Sequence, residues 1–316
     1  MVILFSANIS KKHQEKFTMK YPDHSFVFCK NMDEAKSHLK KAEILVTFGE
    51  DLTSELIDQA TDLKWIMVIS AGMDQMPFKS IQERGIIVTN AKGIHKIPMA
   101  EYAISMLLQV YRQEKVTLRN QQNSEWVRGV KMQEITGKTM LVAGTGAIGQ
   151  EVARLAKAFQ MKTYGVSRSG RSVEYFDENY TTDEMERVLP EVDFVVSILP
   201  STPETKYLFN YNHFEKLPNH AVFLNMGRGD VVQSDDVLKA VQQGEIAHAV
   251  LDVFHEEPLP RDHPFWQEEN VTVTPHLSGI SPKYISRALD IFDKNLQTYK
   301  NNRDDYINEI DVTRGY

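Results

Sequence analysis

TMLVAGTGAIGQEVARLAKAF, residues 139–159, joins an apolar run, a glycine-rich turn and an amphipathic stretch without a gap. The run at 139–143 reads as a strand, and Ile148, Val152, Leu155, Ala156 and Phe159 share one face of the helix that follows. Between them Gly144, Gly146 and Gly149 form a G-x-G-x-x-G. That spacing occurs by chance, but a strand before it and a helix after it are the context a dinucleotide site requires. Gly144 permits the tight turn, Gly146 lets the backbone approach a diphosphate, and Gly149 lets the helix lie close to the sheet. With Ala147 and Ile148 opening the helix, the diphosphate would sit on its N-terminus, where free N–H groups and the dipole favour negative charge. The alternative is a glycine-rich turn with no ligand.

The next strand, KTYGV (162–166), indicates which dinucleotide. An NAD site usually ends this strand with an acid that holds the ribose 2′-hydroxyl. Here the strand runs into Ser167, Arg168, Ser169, Gly170 and Arg171, and no acid occurs until Glu174. Two guanidiniums and two hydroxyls suit a 2′-phosphate. NADP(H) is therefore the preferred cofactor and NAD(H) the second choice; a solvated basic turn is the bland alternative.

Beyond this segment the alternation continues. DFVVSI (193–198), AVFLN (221–225), IAHAVLDV (246–253) and VTVT (271–274) complete six strands separated by helical stretches, which predicts a doubly wound parallel sheet. Upstream, VILF (2–5), SFVFC (25–29), ILVTF (44–48), WIMVI (65–69) and IIV (86–88) read as strands of a smaller α/β unit. A long helix is expected over 95–118, with Met99, Ala103, Met106, Leu107 and Val110 on one face and Pro98 in its first turn. The tail from Ser281 is helical, with Ile285, Leu289, Phe292, Leu296 and Tyr299 aligned. It has no strand of its own to cover, so it is expected to return to the first unit and make that domain discontinuous.

The 316 residues hold 36 Lys+Arg against 43 Asp+Glu, a net charge of −7 that argues against a nucleic-acid partner. No apolar run approaches the ~18 residues of a membrane span. MVILFSANISKKH at the start reads as a strand rather than a leader, so a cytoplasmic setting is expected. The single Cys29 excludes an internal disulfide framework or a cysteine-rich zinc site and reads as an inert strand residue.

Three later segments carry chemistry. LNMGRGDVV (224–232) puts Arg228 just past a strand; LDVFHEEPLPRDHPFW (251–266) puts Asp252 inside a strand and Glu257 before Pro258; VTVTPHLSG (271–279) puts His276 just past the sixth strand. Carboxyl ends of parallel strands are where open α/β sheets place ligands. A cation, an acid and an imidazole beside a nicotinamide form a coherent hydride-transfer set. Arg228 would clamp a carboxylate, His276 would give a proton to a carbonyl oxygen, and Glu257 would hold the imidazole and favour its charged form. Taken singly, Arg228 equally suits holding a loop, Glu257 facing solvent, and His276 a structural role. His255, Glu256, Glu257 and His263 raise the alternative of a metal, but no H-E-x-x-H spacing occurs, and no metal is expected.

Assembled, these motifs resemble the D-isomer-specific 2-hydroxyacid dehydrogenase family. The carriers are ISAGMD (69–74), GIHKIPMAEYAISMLL (93–108), GTGAIGQEVARLAKAF (144–159), LPSTPETKYLFN (199–210), NMGRGDVV (225–232), DVFHEEPLPRDHPFW (252–266) and TPHLSG (274–279), in order over nearly the whole chain. The resemblance implies an α/β protein with a doubly wound (Rossmann) nucleotide domain at 94–284, inserted into a flavodoxin-like substrate domain at 1–93 and 285–316. It implies a site in the cleft between them, and a homodimer joined through the helix and arm at about 95–136, with Trp126 in the arm. The family's catalytic arginine, glutamate and histidine match Arg228, Glu257 and His276. Ser70, Ala71 and Gly72, with Arg228 and His276, would meet the substrate, Asp252 would hold the nicotinamide carboxamide, and Leu199, Pro200, Thr205, Met226, Gly227, Arg228, His276 and Ser278 would line the cofactor site.

The SRSGR turn is similar to that of the NADP-using glyoxylate and 2-ketoacid reductases, which favours reduction. Formate dehydrogenases of the family pair the histidine with a glutamine, so Glu257 argues against formate. The implied activity is reduction of a small 2-oxo acid to a D-2-hydroxy acid, of the glyoxylate, hydroxypyruvate or branched-chain type. A phosphoglycerate dehydrogenase-like enzyme and a nucleotide-sensing corepressor without turnover are the alternatives. Met73 and Met76 suit either an apolar substrate pocket or the core.

Overall fold

The computed structural model describes residues 1–70, 73 and 76–313. The chain divides into two compact units, Met1–Ile94 with Ser281–Tyr316, and His95–Ile280.

In the first unit the apolar runs form β1 (Val2–Phe5), β2 (Ser25–Phe28), β3 (Ile44–Thr47), β4 (Trp65–Val68) and β5 (Ile87–Asn90), all parallel in the order β2-β1-β3-β4-β5. Such strands read as unbroken apolar runs because both faces are covered. Alternate residues divide between the faces: Ile3, Phe5, Ile44, Val46, Trp65 and Met67 join one core, while Leu4, Leu45, Ile66 and Val68 join the other. The connecting helices are α1 (Lys11–Lys20), α2 (Met32–Ala35), α3 (Ser54–Gln59) and α4 (Phe78–Glu83). Met73 and Met76, each 7% exposed, pack into the second of these cores, so of their two readings the structure supports the core one. Cys29 lies one residue past β2, half-buried, and desolvation pushes its thiol up, away from the reactive thiolate.

The second unit opens with α5 (Lys96–Tyr111) and α6 (Glu114–Gln122). This corrects the single helix expected over 95–118. The apolar face ends at Tyr111, Gln113 adopts a left-handed φ of 55°, and α6 buries none of its residues. With no core face to continue, nothing holds the two segments collinear.

The strands β6 (Thr139–Ala143), β7 (Lys162–Ser167), β8 (Glu178–Thr181), β9 (Phe194–Ser197), β10 (Val222–Asn225), β11 (His248–Leu251) and β12 (Val271–Val273) form a seven-stranded parallel sheet in the order β12-β11-β10-β9-β6-β7-β8. Edge strand β8, ENYT, is the one the apolar pattern does not reveal, because neither face is fully buried. α5 and α7 (Ala147–Ala158) cover one face around Met140, Val142, Phe194, Val196 and Val222. α8 (Tyr211–Lys216) and α9 (Ser234–Gln243) cover the other around Leu141, Val195, Phe223 and Ala249. Both sheets are thus parallel and doubly wound, and the second reverses its order between β6 and β9, the switch point where such sheets bind ligands.

The last helix, α10 (Tyr284–Lys300), packs with the first unit. Its Leu289, Phe292 and Leu296 are buried, and Phe292 meets Trp65, Phe5 and Phe17 at ring distances of 5.4, 5.6 and 5.4 Å.

Candidate active site

The site in the second unit is built at the carboxyl ends of β6, β7, β9, β10, β11 and β12. At β6, Gly144 holds a φ of +106°, which a side chain rarely adopts. A Cβ on Gly149 would lie 2.0 Å from the Gly144 carbonyl oxygen, so the α7 backbone can approach the turn only through a glycine. A Cβ on Gly146 would meet nothing within 4 Å. Gly146 caps the twelve-residue α7 without a side-chain hydrogen bond, and the first turn, beginning at Ala147 and Ile148, carries no acid. Open space at free helical N–H groups fits a diphosphate.

Ser167 ends β7, and Arg168, Ser169 and Arg171 follow, all three exposed, with Gly170 at a φ of +59°. Among the described residues neither guanidinium forms a salt bridge within 4.0 Å, so both are available to an anion. Arg168 is close enough to help lower the Glu204 carboxyl, after hydrogen bonds from the Glu204 backbone and Thr202.

After β9, Leu199 is buried and Thr205 Oγ1 donates to the Pro200 carbonyl at 2.6 Å, closing the 200–205 loop. Gly227 packs against Leu199, where a Cβ would come within 2.5 Å of the Leu199 oxygen, and Met226 beside it is buried.

Arg228 stands exposed three residues past the end of β10, and among the described residues its side chain donates only to the Gly227 carbonyl, at 2.8 Å. Its backbone is fixed by Asn225, which is fully buried: Asn225 Nδ2 donates to the Arg228 carbonyl at 3.0 Å and Oδ1 accepts the Gly227 N–H at 3.2 Å. Gly229 then packs so tightly on Phe254 that a Cβ would lie 1.9 Å from its carbonyl carbon. That contact ties the Arg228 loop to the loop carrying Glu257.

Glu257 bridges two partners. Oε1 accepts the Phe254 N–H at 2.9 Å, and Oε2 meets His276 Nδ1 at 2.8 Å. The pairing makes Nδ1 the protonated nitrogen and leaves Nε2 without a hydrogen-bond partner among the described residues. An apolar hollow of about 390 Å3 adjoins the pair, walled by Phe254, Leu259, Trp266 and Val273. His276 has a φ of 50°, a left-handed conformation in which histidine is uncommon but enriched over most residues.

Asp252 lies one residue beyond β11 rather than inside a strand, because the parallel ladder with β12 ends at Leu251–Val273. It is fully buried and faces inward: Oδ1 accepts Thr274 Oγ1 at 2.6 Å and the Leu277 N–H at 2.9 Å, and Oδ2 accepts the Ser278 N–H at 3.0 Å. The His276 N–H donates to the Asp252 carbonyl at 2.9 Å.

The structure thus brings Arg228, Asp252, Glu257, His276 and Ser278 into one set of interlocked loops. In the first unit, Ser70 follows β4 and its hydroxyl donates to the Phe48 carbonyl at 3.0 Å, while Ala71 and Gly72 lie outside the described residues. Motif reading passed over Asn225, Thr274 and Tyr102, although a polar residue closing the apolar run AVFLN was a visible signal. Of the histidines weighed for a metal, His263 caps a turn by accepting the Phe265 N–H at 3.2 Å.

Residues 104–278 match the family model for the D-isomer specific 2-hydroxyacid dehydrogenase NAD-binding domain. A glyoxylate reductase of Pyrococcus horikoshii is 32% identical over 271 residues, covering 83% of this chain and 81% of its own length. A D-isomer specific 2-hydroxyacid dehydrogenase family protein of Aeromonas salmonicida superposes with a TM-score of 0.85 at 32% identity, over 98% of this chain and 99% of that one. An NADPH-dependent glyoxylate/hydroxypyruvate reductase of Sinorhizobium meliloti, solved with NADP and sulfate, gives a TM-score of 0.78 at 25% identity, over 100% and 99%. Among the described residues no helix is long and apolar enough to cross a membrane. With its parallel nucleotide-binding sheet and its relatives, the chain belongs to the D-isomer specific 2-hydroxyacid dehydrogenases, NAD(P)-dependent oxidoreductases acting on CH–OH donors.

Proposed function

We propose that this enzyme reduces a small 2-oxo acid, of the glyoxylate, hydroxypyruvate or branched-chain type, to the D-2-hydroxy acid with NADPH. The observation that carries the reading is the 2.8 Å Glu257–His276 pair with Nε2 left open. A bound nicotinamide dinucleotide supplies the hydride. His276 Nε2 gives its proton to the substrate carbonyl oxygen as that oxygen gains charge, and Glu257 stabilises the imidazolium before transfer. Arg228, which has no other side-chain partner among the described residues, takes the substrate carboxylate through two N–H groups and orients it. The N-terminus of α7 holds the diphosphate, Arg168 and Arg171 with Ser167 and Ser169 hold the 2′-phosphate, and Leu199, Pro200, Thr205 and Met226 line the cofactor.

The exposed turn with no acid before Glu174 supports NADPH over NADH, as does the NADP bound by the Sinorhizobium relative. We also assign a homodimer contact to Val116, Leu118, Trp126, Val127 and Met132, because Trp126 is 93% exposed and α6 buries nothing.

The test is the steady-state rate with NADPH and with NADH across 2-oxo acids of increasing side-chain size. Preference for NADPH with turnover of one size class supports the reading. Equal use of NADH reduces Arg168 and Arg171 to a solvated turn. Cofactor binding without turnover of any 2-oxo acid overturns it in favour of a nucleotide sensor.

A further inference from the structure

The loop that carries His276 is held from α5 by a directional hydrogen-bond chain. Thr274 Oγ1 donates to Asp252 Oδ1 at 2.6 Å, and Tyr102 Oη lies 2.7 Å from the same threonine oxygen. A threonine hydroxyl has one proton, and a carboxylate can only accept. The Thr274 proton therefore belongs to Asp252, and Tyr102 must donate to Thr274. Burial pushes the Tyr102 hydroxyl well above the ordinary tyrosine range, the Thr274 bond opposes that, and the Asp252 charge adds to it; the hydroxyl stays protonated and a donor.

Asp252 is fully buried, and among the described residues no Lys, Arg or His lies within 4.0 Å of its carboxylate. A buried carboxylate without a cation is tolerable only when its oxygens are well supplied with donors. Here the donors are Thr274 Oγ1 and the N–H groups of Leu277 and Ser278. These three bracket His276 on both sides in sequence, and the Asp252 carbonyl takes the His276 N–H itself at 2.9 Å. The left-handed φ of 50° at His276 needs such support, since a non-glycine residue in that region persists only where its surroundings over-determine it.

We propose that Tyr102 and Thr274 are positioning residues for proton transfer, acting through Asp252 to hold His276 in the conformation that meets Glu257. Neither touches a reacting atom. The chain runs from α5 to the loop after β12 and ends where the catalytic imidazole begins. Each link polarises the next in a water-poor interior, so losing the first weakens the last. The inference rests on His276 as the proton-transfer residue.

The variants are Thr274→Val, Thr274→Ser and Tyr102→Phe, each checked by thermal melting. Thr274→Val removes the hydroxyl at nearly constant volume, and kcat is expected to fall about 10- to 100-fold, the scale on which small misplacements act. Tyr102→Phe is expected to lower kcat about 3- to 10-fold, the fold-change of one hydrogen bond. Thr274→Ser should retain most of the rate. In all three, KM for the 2-oxo acid and the affinity for NADPH should hold.

A second measurement needs no turnover: the ring 15N resonances of His276, identified by their loss in His276→Gln, should move in Thr274→Val and Tyr102→Phe and stay in Thr274→Ser. Unmoved resonances in folded Thr274→Val and Tyr102→Phe overturn the proposal. Equal losses in the serine and valine variants overturn it too. So does a loss confined to NADPH affinity, which would make the network a cofactor support. If the unaltered enzyme turns over no 2-oxo acid, the reading of function fails, and the resonances alone still support or overturn the positioning chain. Should Thr274→Val not fold, Tyr102→Phe carries both readouts.

Discussion

His276 and Glu257 illustrate how one interaction divides the work of two nitrogens. The 2.8 Å contact commits Nδ1 and leaves Nε2 without a hydrogen-bond partner among the described residues. Replacing His276 with Gln should lower kcat by about 10²–10⁴ while NADPH binding, read by fluorescence titration, survives. Undiminished turnover in that variant removes the imidazole from the mechanism. Arg228 has a different signature. Arg228→Lys keeps a charge but loses the planar fork, so KM for the 2-oxo acid should rise and kcat fall together; normal kinetics in that variant would falsify the carboxylate clamp. Asn225 has neither role. It is buried with two internal bonds to the Gly227–Arg228 turn, and Asn225→Ala should cost about 1–3 kcal/mol in urea unfolding by stranding both backbone partners.

The glycine turn and its helix separate packing from binding. Gly149→Ala places a methyl against the Gly144 carbonyl, so it should lower the melting temperature with or without cofactor. Gly146→Ala enters open space, so the apo protein should melt as before while the stabilisation by added NADPH shrinks. The reverse pattern would mean that the diphosphate lies elsewhere. α10 is a purely structural counterpart. Phe292→Ala empties a site shared with Trp65, Phe5 and Phe17, and a loss of about 3–5 kcal/mol is expected in denaturant titration. The buried strands and the amphipathic helices α7 and α10 are legible in the sequence, because burial on both faces leaves unbroken runs and burial on one face leaves a helical stripe. β8 is not, since an edge strand can be polar on both faces, and neither is the break at Gln113, which depends on where the core ends.

For the whole molecule, acid should be destabilising through buried neutral histidines. Burial, with the Lys115 charge adding to it, pushes His248 down to about 3, and burial also lowers His213 against the opposing Glu186. From the ordinary histidine range of 6.5 down to about 3, the unfolded chain takes up a proton that the folded chain refuses at His248. The stabilisation is therefore complete at neutral pH and lost as pH falls through that window, by up to about 1.4 kcal/mol per pH unit for this residue. Urea midpoints at about pH 7 and about pH 5 should differ in that sense, and less so in His248→Gln. Identical pH slopes for the two proteins would assign the acid lability to other groups.

At this scale the division between chain and fold is clear. Apart from β8, the order of strands along the chain, the glycine turn and the presence of Arg228, Glu257 and His276 past strand ends could all be read from local pattern, because periodicity, turn chemistry and strand-end position are properties of neighbouring residues. Apart from Glu257 with His276, which side chains share a hydrogen bond could not. The apolar run places Asp252 within a strand, yet in the fold it lies one residue past β11 and its carboxylate accepts from Thr274, Leu277 and Ser278. Tyr102 stands outside the apolar stripe read for the long helix, yet it donates to a threonine 172 positions away. Such pairings are decided by the approach of segments remote in the chain, where a buried polar group must find whatever partner the packing brings within reach.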